Sequence, residues 1–560
     1  MSKQELISFM NINLKHAKNK FIAAILIVLS LIAVLALMHP GLPITHDGQD
    51  HVARIANFYQ NLAEGNLIPR WAANLNWGYG HPVLEFLYPL PSYFASIFHA
   101  IGFSLVDSVK VVNGFGMILS LVFMFFWLKQ FLGKEPALLG AFLYTYAPYR
   151  FVDLYVRGDV GENLAFAFVP LVLYFIYKLY KKPKVQYLFL GSLSLAFLIL
   201  AHNAIALITV PFIFSYALYL IWLSKLNKSL IINLASLLFF GFALSAFFWI
   251  PALLEGKFTL RNIVTKGGYL ARFVNFKDLL YGPWSYGGSG VFTQQLGVVQ
   301  WVALIFSPIL AFVLWFKKDK HYILVVGCLL YTLLAIFLML PVSNFLWARI
   351  MLLQNFQFPW RFLAITVFST AVLAALVVER IPKKLQLIVV IVLIVLVLLI
   401  SKDYVNANGY LYKPASFYTG IYSSTTDTGE SSSIWSERFM EHIPNSHLEV
   451  LDGKAIVTEL VRTSTSHIYN VSVTKKTLFK ENTLYFPGWR IQANNLPVDV
   501  QFQNMQYRGT MLFFLDKGNY VVEAKYTETK LRFLSDLISL ISLILITGIT
   551  GFMFVKRKLS

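Results

Sequence analysis

Runs of about 20 predominantly apolar residues, broken by short clusters of lysine and arginine, recur along most of this chain, and each is long enough to cross a bilayer as a helix. Candidate spans cover 21–38, 109–131, 136–149, 160–179, 186–201, 204–223, 229–250, 296–316, 321–340, 360–379, 385–401 and 532–555. In hydrocarbon every backbone polar group needs an internal partner, which leaves the helix as the spanning form for such runs. Of 560 residues, 57% are hydrophobic and 13% charged. A soluble domain carries about 25% charged residues, so the soluble, disordered, collagen and coiled-coil classes are excluded. The expectation is an all-α polytopic membrane protein of about twelve transmembrane helices.

The formal net charge of +19 would suit a nucleic-acid binder if the basic residues formed a groove or an arm. They do not. They gather as Lys15, Lys18 and Lys20; Lys178, Lys181, Lys182 and Lys184; Lys225 and Lys228; Lys317, Lys318 and Lys320; Arg380, Lys383 and Lys384; and Lys556, Arg557 and Lys558. These clusters fall in alternate gaps between the spans, as the positive-inside rule requires of cytoplasmic loops. The charge therefore reports topology, with both termini cytoplasmic and membrane lipids, not nucleic acid, as the surroundings. Leu37-Met38-His39-Pro40 is a poor small-residue cleavage site, so the first run reads as an uncleaved helix. The lone cysteine, Cys328, lies in an apolar run and excludes an intrachain disulfide.

Three regions follow. Residues 1–401 read as a transmembrane domain whose first outer loop, 39–108, carries amphipathic interfacial stretches at 50–63 and 84–101. Residues 402–530 form the large extracytoplasmic region, and 531–560 a final helix with a basic cytoplasmic tail. Within 402–530 short alternating runs such as Tyr469, Val471, Val473 and Val498, Val500, Phe502 are separated by turns at Asp452-Gly453, Pro487-Gly488 and Lys517-Gly518-Asn519. That pattern predicts a small antiparallel β-sandwich.

Polar chemistry concentrates at the outer boundary. Directly after the first span stands Thr45-His46-Asp47-Gly48-Gln49-Asp50-His51. Its carboxylates and imidazoles can act as a general base, accept a hydroxyl hydrogen bond or ligate a divalent cation such as Mg or Mn. Alternatively Asp47 caps a helix beginning near Asp50. A second outer loop holds Arg150, Asp153, Arg157, Asp159 and Glu162. Ionisable groups at that depth pair with one another or serve a site. Arg157 suits a phosphate through its planar fork, as does Arg361 in Gln357-Phe358-Pro359-Trp360-Arg361, where snorkelling is the alternative. His202-Asn203 reads as a satisfied pair at a helix turn, and Tyr281-Gly282-Pro283-Trp284-Ser285-Tyr286-Gly287-Gly288 as a flexible aromatic loop. No glycine motif for a nucleotide is present, so an outward-facing transferase would draw on a lipid-linked donor.

Several stretches together resemble the bacterial YfhO-like membrane proteins and the group labelled 6-pyruvoyl-tetrahydropterin synthase-related. They are Asp47 to His51, Ile68-Pro69-Arg70-Trp71, Gly78-Tyr79-Gly80-His81-Pro82, Arg157-Gly158 with Glu162, Gln357 to Arg361, and Phe486-Pro487-Gly488-Trp489. Those groups in turn resemble the GT-C superfamily of integral-membrane glycosyltransferases. The resemblance implies a GT-C-like fold, a polyprenyl-phosphate sugar donor, and a catalytic carboxylate just after the first helix. Asp47 matches that position, with Asp50 as the alternative. Where family members often carry a Glu-Tyr-Leu-Pro-like element, this chain has Gly429-Glu430-Ser431-Ser432 and later His442-Ile443-Pro444. The pterin label implies zinc chemistry for which no matching ligand set is present. The expected activity is sugar transfer to an envelope glycan, lipid or protein at the outer face of a bacterial cytoplasmic membrane. In it Asp47 and Asp50 are catalytic, and His51, Arg150, Arg157, Asp159, Glu162 and Arg361 bind substrate. Any metal would sit on Asp47, Asp50 and His51. The alternative is a non-catalytic transporter or scaffold for envelope lipids or polysaccharides.

Overall fold

The computed structural model describes residues 20–286 and 292–559. Lys15 and Lys18 of the first basic cluster, and Gly287-Gly288 of the aromatic loop, lie outside the described residues. Among the described residues nine helices are long and apolar enough to cross a membrane, or ten if one bent pair is counted as a single span. The chain is a multi-pass membrane protein. Two of the twelve expected runs form shorter helices. The run at 136–149 forms a helix of only 12 residues, Lys134–Thr145, because Pro148 begins a separate turn. The helix Val185–Ala201 has 17 residues and ends where His202 leaves helical geometry, at φ −163° and ψ 114°.

The bent pair, Lys228–Leu244 and Ala246–Phe258, breaks by 67°. Ser245 sits at the break with its hydroxyl on the Gly241 carbonyl at 3.0 Å. Serine back-bonding of this kind bends helices. Two backbone groups freed by the kink find partners elsewhere. The Phe247 N–H donates to Ser539 Oγ at 2.9 Å. Pro251 has no N–H for the Phe247 carbonyl, which instead accepts from Arg70 Nη1 at 3.1 Å. The break is thus held by the last span, Lys530–Leu559, and by the first outer loop.

The amphipathic stretches of that loop form helices, Gly48–Ala63 and Leu90–Ala100, each with one face packed into the molecule. The first buries His51, Val52, Ile55 and Phe58, and Asn61 donates to the Trp71 carbonyl at 3.0 Å. Trp71 is fully buried against Gly80, where a Cβ would stand 2.5 Å from its ring and φ is +79°. The loop is a packed part of the molecule.

After the first span, β1 (Leu42–Pro43) pairs antiparallel with β2 (Tyr410–Leu411), tying the loop's start to the region 402–530. That region holds β3 (Leu448–Arg462), β4 (Ser466–Leu484), β5 (Trp489–Ala493), β6 (Leu496–Val498), β7 (Thr510–Leu515) and β8 (Gly518–Tyr526). They form one six-stranded antiparallel sheet in place of the two facing sheets of a sandwich. The cause is β4: its 19 residues pair with β8 along the first half and with β7 along the second, so a single strand serves both halves.

Candidate functional site

The fold gathers the outer polar residues in the lining of a cavity of ≈740 Å³. Its geometry starts at the turn between two helices. Residues Val152–Arg157 form a π-helical turn, ended by Gly158 in the left-handed region at φ +72°. Asp159 then caps the helix Val160–Lys181, accepting the Glu162 N–H at 2.9 Å. The backbone after the first span runs alongside: His46 N–H donates to the Val156 carbonyl and Asp47 N–H to the Arg157 carbonyl, both at 2.9 Å. Asp47 is therefore fixed beside Arg157 by backbone bonds.

Arg157 holds three carboxylates. Its Nη1 bonds Asp153 and, at 2.8 Å, Glu162 Oε2; its Nη2 bonds Asp159 Oδ2 at 2.8 Å. Its guanidinium also lies 4.6 Å over the Trp360 ring. Arg361 Nε approaches Glu162 Oε2 at 3.4 Å, and Tyr88 donates to Asp159 Oδ1 at 3.0 Å. Burial alone would raise the Asp159 carboxyl, but Arg157 beside it brings it well below the usual carboxylate range. Asp47 faces the cavity with water access on that side and protein on the others. Desolvation there raises its carboxyl, offset in part by Arg157.

His51 is buried, and its Nδ1 accepts from Arg54 Nη1 at 3.2 Å. A guanidinium only donates, so the His51 proton sits on Nε2. Desolvation and then Arg54 hold this imidazole at about 3, in its neutral form. His202 accepts the Ile205 N–H on Nδ1 at 3.1 Å and points Nε2 toward Asp159 at 3.7 Å; desolvation holds it at about 4.

Of the residues expected from sequence, Asp47, Asp50, His51, Arg157, Asp159 and Arg361 line the cavity. Glu162 stands behind them in the Arg157 cluster. Arg150 does not join. It is fully buried on the other side of the turn, with Nη2 on Asn163 Oδ1 at 2.7 Å and on Ser120 Oγ at 3.2 Å, and with its guanidinium 4.0 Å over Phe166.

Sequence reasoning passed over Arg54, Arg272 and Thr426 to Thr428 and read His202 as a satisfied helix-turn residue; all of these line the cavity. Arg54 was legible: helical spacing puts it on the face of Asp50 and His51. It donates Nε to Thr426 Oγ1 at 3.2 Å and Nη2 to the Thr426 carbonyl, tying that distant segment down as a roof. Asp427 in the roof takes His81 Nε2 at 3.3 Å and the N–H groups of Gly429 and Ser431 at 2.9 and 3.1 Å. Thr426 and Gln357, which face the same cavity, both have φ of +62°. Non-glycine residues in this region carry strain, which gathers at functional sites.

A cation would need three converging donors. Asp47, Asp50 and His51 do not provide them, since His51 Nδ1 is engaged by Arg54. Among the described residues, the His, Asp and Glu atoms that converge within 4.8 Å belong to Asp159, Glu162 and His202. Arg157 already compensates both of those carboxylates at 2.8 Å, so a guanidinium serves this donor set.

Part of the cavity lining is apolar: Leu207, Phe242, Leu253 and Leu352 line it and are exposed on the outside of the helical domain. Arg272 also lines it, its guanidinium 5.2 Å over Phe358, with Arg361 5.3 Å over the same ring.

Residues 81–249 match the family model described as dolichyl-phosphate-mannose-protein mannosyltransferase. An uncharacterized protein of Lactococcus lactis subsp. cremoris is 26% identical over 317 residues, 53% of this chain and 50% of its own length. The chain thus spans about half the length of the curated relative it matches. Among solved structures, the Archaeoglobus fulgidus oligosaccharyltransferase aligns at 14% identity with a TM-score of 0.42, over 72% of this chain and 60% of that one. The mycobacterial arabinofuranosyltransferase AftD aligns at 14% and 0.44, over 71% and 28%. ArnT from Cupriavidus metallidurans bound to undecaprenyl phosphate aligns at 13% and 0.38, over 72% and 68%. At such scores the likeness is one of loose arrangement. The matched segment carries Arg157, Asp159, Glu162 and His202, and the chain is a multi-pass membrane protein similar over that segment to the dolichyl-phosphate-mannose-protein mannosyltransferases.

Proposed function

We propose that this protein transfers a sugar from a polyprenyl-phosphate donor to a cell-envelope acceptor at the outer face of the bacterial cytoplasmic membrane. The observation that carries the reading is the polarity of one cavity. Its lining joins Asp47 and the Arg157 carboxylate cluster with apolar side chains, Leu207, Phe242, Leu253 and Leu352, that are exposed on the outside of the helical domain. A lipid-linked sugar phosphate has the same division. Its chain belongs along the apolar side chains, its phosphate by arginines, its sugar by the carboxylates.

In this reading Asp47 takes the proton of the acceptor hydroxyl as its oxygen attacks the anomeric carbon. The carbon–oxygen bond to phosphate breaks, and the polyprenyl phosphate leaves with the electron pair. Negative charge grows on that phosphate, where a guanidinium stabilises it. Arg157 is committed to Asp153, Asp159 and Glu162, so it acts as a positioning residue for the carboxylate wall. Arg361 and Arg272, both on Phe358, suit the phosphate better. Asp50 and the neutral His51 serve as hydrogen-bond partners for acceptor hydroxyls, and Arg54 keeps the roof over them.

The test is transfer of labelled sugar from polyprenyl-phosphate donors by the purified protein in liposomes. Asp47→Asn should lower turnover by roughly 10²–10⁴-fold, the usual contribution of a general base, while thermal stability stays near wild type. Arg272→Gln should weaken donor use with the fold intact. Wild-type turnover in Asp47→Asn would overturn its assignment and move the base to Asp50.

A further inference from the structure

A second cavity, of ≈130 Å³, opens between helix ends at the opposite face of the helical domain. On the helix Val160–Lys181, Tyr177 lies 15 residues beyond Glu162, about 22 Å along the axis, so this pocket is remote from the first. It is lined by Tyr177, Tyr180, Tyr216 and Tyr219 with Lys320 and His321. The tyrosines form two i, i+3 pairs on the helices Val160–Lys181 and Asn203–Leu223, so each helix presents two phenols on one side.

The hydroxyls are short of acceptors. Tyr219 donates to the Lys320 carbonyl at 3.3 Å, and Tyr216 receives Trp127 Nε1 at 3.2 Å. Among the described residues no acceptor takes the hydroxyl protons of Tyr177, Tyr180 or Tyr216. Cations stand around them. Lys181 Nζ lies 5.5 Å over Tyr177 and 5.2 Å over Tyr180, and neither Lys181 nor Lys320 has a carboxylate partner among the described residues. The acidic residue of the loop, Asp319, is engaged by Arg380 and His321, each at 2.8 Å. Three phenols without acceptors and Lys320 therefore line one pocket, with the Lys181 ammonium over two of the rings, and the Asp319 carboxylate beside them is already paired with Arg380 and His321. At the edge of a membrane, unpaired donors are costly, and basic pockets between helix ends favour anionic headgroups. The chemistry that answers all of them is a phosphate, with acceptor oxygens for the phenols and charge for the lysines. At 130 Å³ against 740 Å³, the pocket has room for a headgroup and not for a glycan.

We propose that this tyrosine–lysine pocket binds a phosphate group, carried by an anionic phospholipid or free in solution, at the membrane face opposite the candidate active site. The experiment uses the full chain in an uncharged detergent. Binding is followed by native mass spectrometry with phosphatidylglycerol or phosphatidylcholine, and by thermal shift with inorganic phosphate against chloride at equal ionic strength. Retention of phosphatidylglycerol over phosphatidylcholine identifies a lipid headgroup, and a phosphate-specific shift without lipid identifies the free ion. In either case Tyr177→Phe with Tyr216→Phe, which keeps ring volume, should weaken binding about tenfold through two lost charge-assisted hydrogen bonds. Lys181→Gln with Lys320→Gln, at exposed positions that leave the core intact, should do the same. Equal retention of both lipids with no phosphate shift, or undiminished binding in both double variants, would overturn the proposal.

Discussion

A side chain at position 158 would have nowhere to go. A Cβ there would stand 2.3 Å from Thr45 Oγ1, and the backbone is already left-handed at φ +72°. Gly158→Ala combines backbone strain of about 1–2 kcal/mol with overpacking of about 1–3 kcal/mol, so we expect a loss of at least about 2 kcal/mol. The displaced Thr45 would take His46 and Asp47 off their bonds to Val156 and Arg157. Thermal denaturation checks the loss, and wild-type stability in the variant would show that this turn does not set the Asp47 position. At this scale much was legible in sequence, because Asp47, Asp50 and His51, and likewise Arg157, Asp159 and Glu162, are near neighbours whose side chains are brought together locally. Arg150 was misread because sequence distance cannot tell which side of a π-helical turn a residue faces. Thr426 and Asp427 left no local signal, since their partners Arg54 and His81 are more than 340 positions away.

Between elements, the decisive joint lies where the bent helix, the first outer loop and the last span meet. Arg532, fully buried at the start of the last span, bonds Glu255 Oε2 at 2.6 Å and Glu85 Oε2 at 2.9 Å. Tyr526, at the end of β8, donates to Glu85 at 3.3 Å and lies 5.0 Å beneath the guanidinium. Glu255 ends the helix whose Phe248, Trp249 and Leu253 line the candidate site, so the joint supports that wall. Arg532→Met would leave the buried Glu255 carboxylate without its cation and Glu85 Oε2 without its guanidinium donor. Breaking a buried pair in this way costs about 3–5 kcal/mol, and a melting temperature within a degree of wild type would refute the assignment. Hydropathy revealed that a helix exists here but not its 67° bend, whose freed Phe247 N–H and carbonyl find distant partners in Ser539 and Arg70. The same limit applies to the sheet. Alternation along 402–530 foretold strands and turns, whereas the use of β4 by both β7 and β8 is a matter of long-range pairing.

For the molecule as a whole, buried groups set opposing slopes of stability against pH. The folded state holds His51 at about 3 and His202 at about 4, below the ordinary imidazole value of 6.5. As pH falls below 6.5 the unfolded chain takes up protons there that the folded chain refuses, so stability is lost toward acid. Glu85 behaves oppositely. Desolvation pushes it up to about 8 from 4.5. Its Oε1 has no donor among its neighbours, and a proton retained on it can bond Glu255. The folded state therefore keeps a proton that the unfolded state gives up, and this contribution is lost as pH rises from 4.5 toward 8. Near pH 5.5 the two histidine protons on the unfolded side oppose the Glu85 proton on the folded side, and Asp153, which burial raises well above the usual carboxylate range, adds to the Glu85 side. Above 6.5 the histidine contribution fades, so melting temperature should fall as pH rises toward 8. Glu85→Gln reproduces the protonated form at every pH, so its curve should fall less over that range. A wild-type curve that climbs without a maximum through pH 8 would show that Glu85 is ionised in the folded protein and that Arg532 alone compensates both carboxylates.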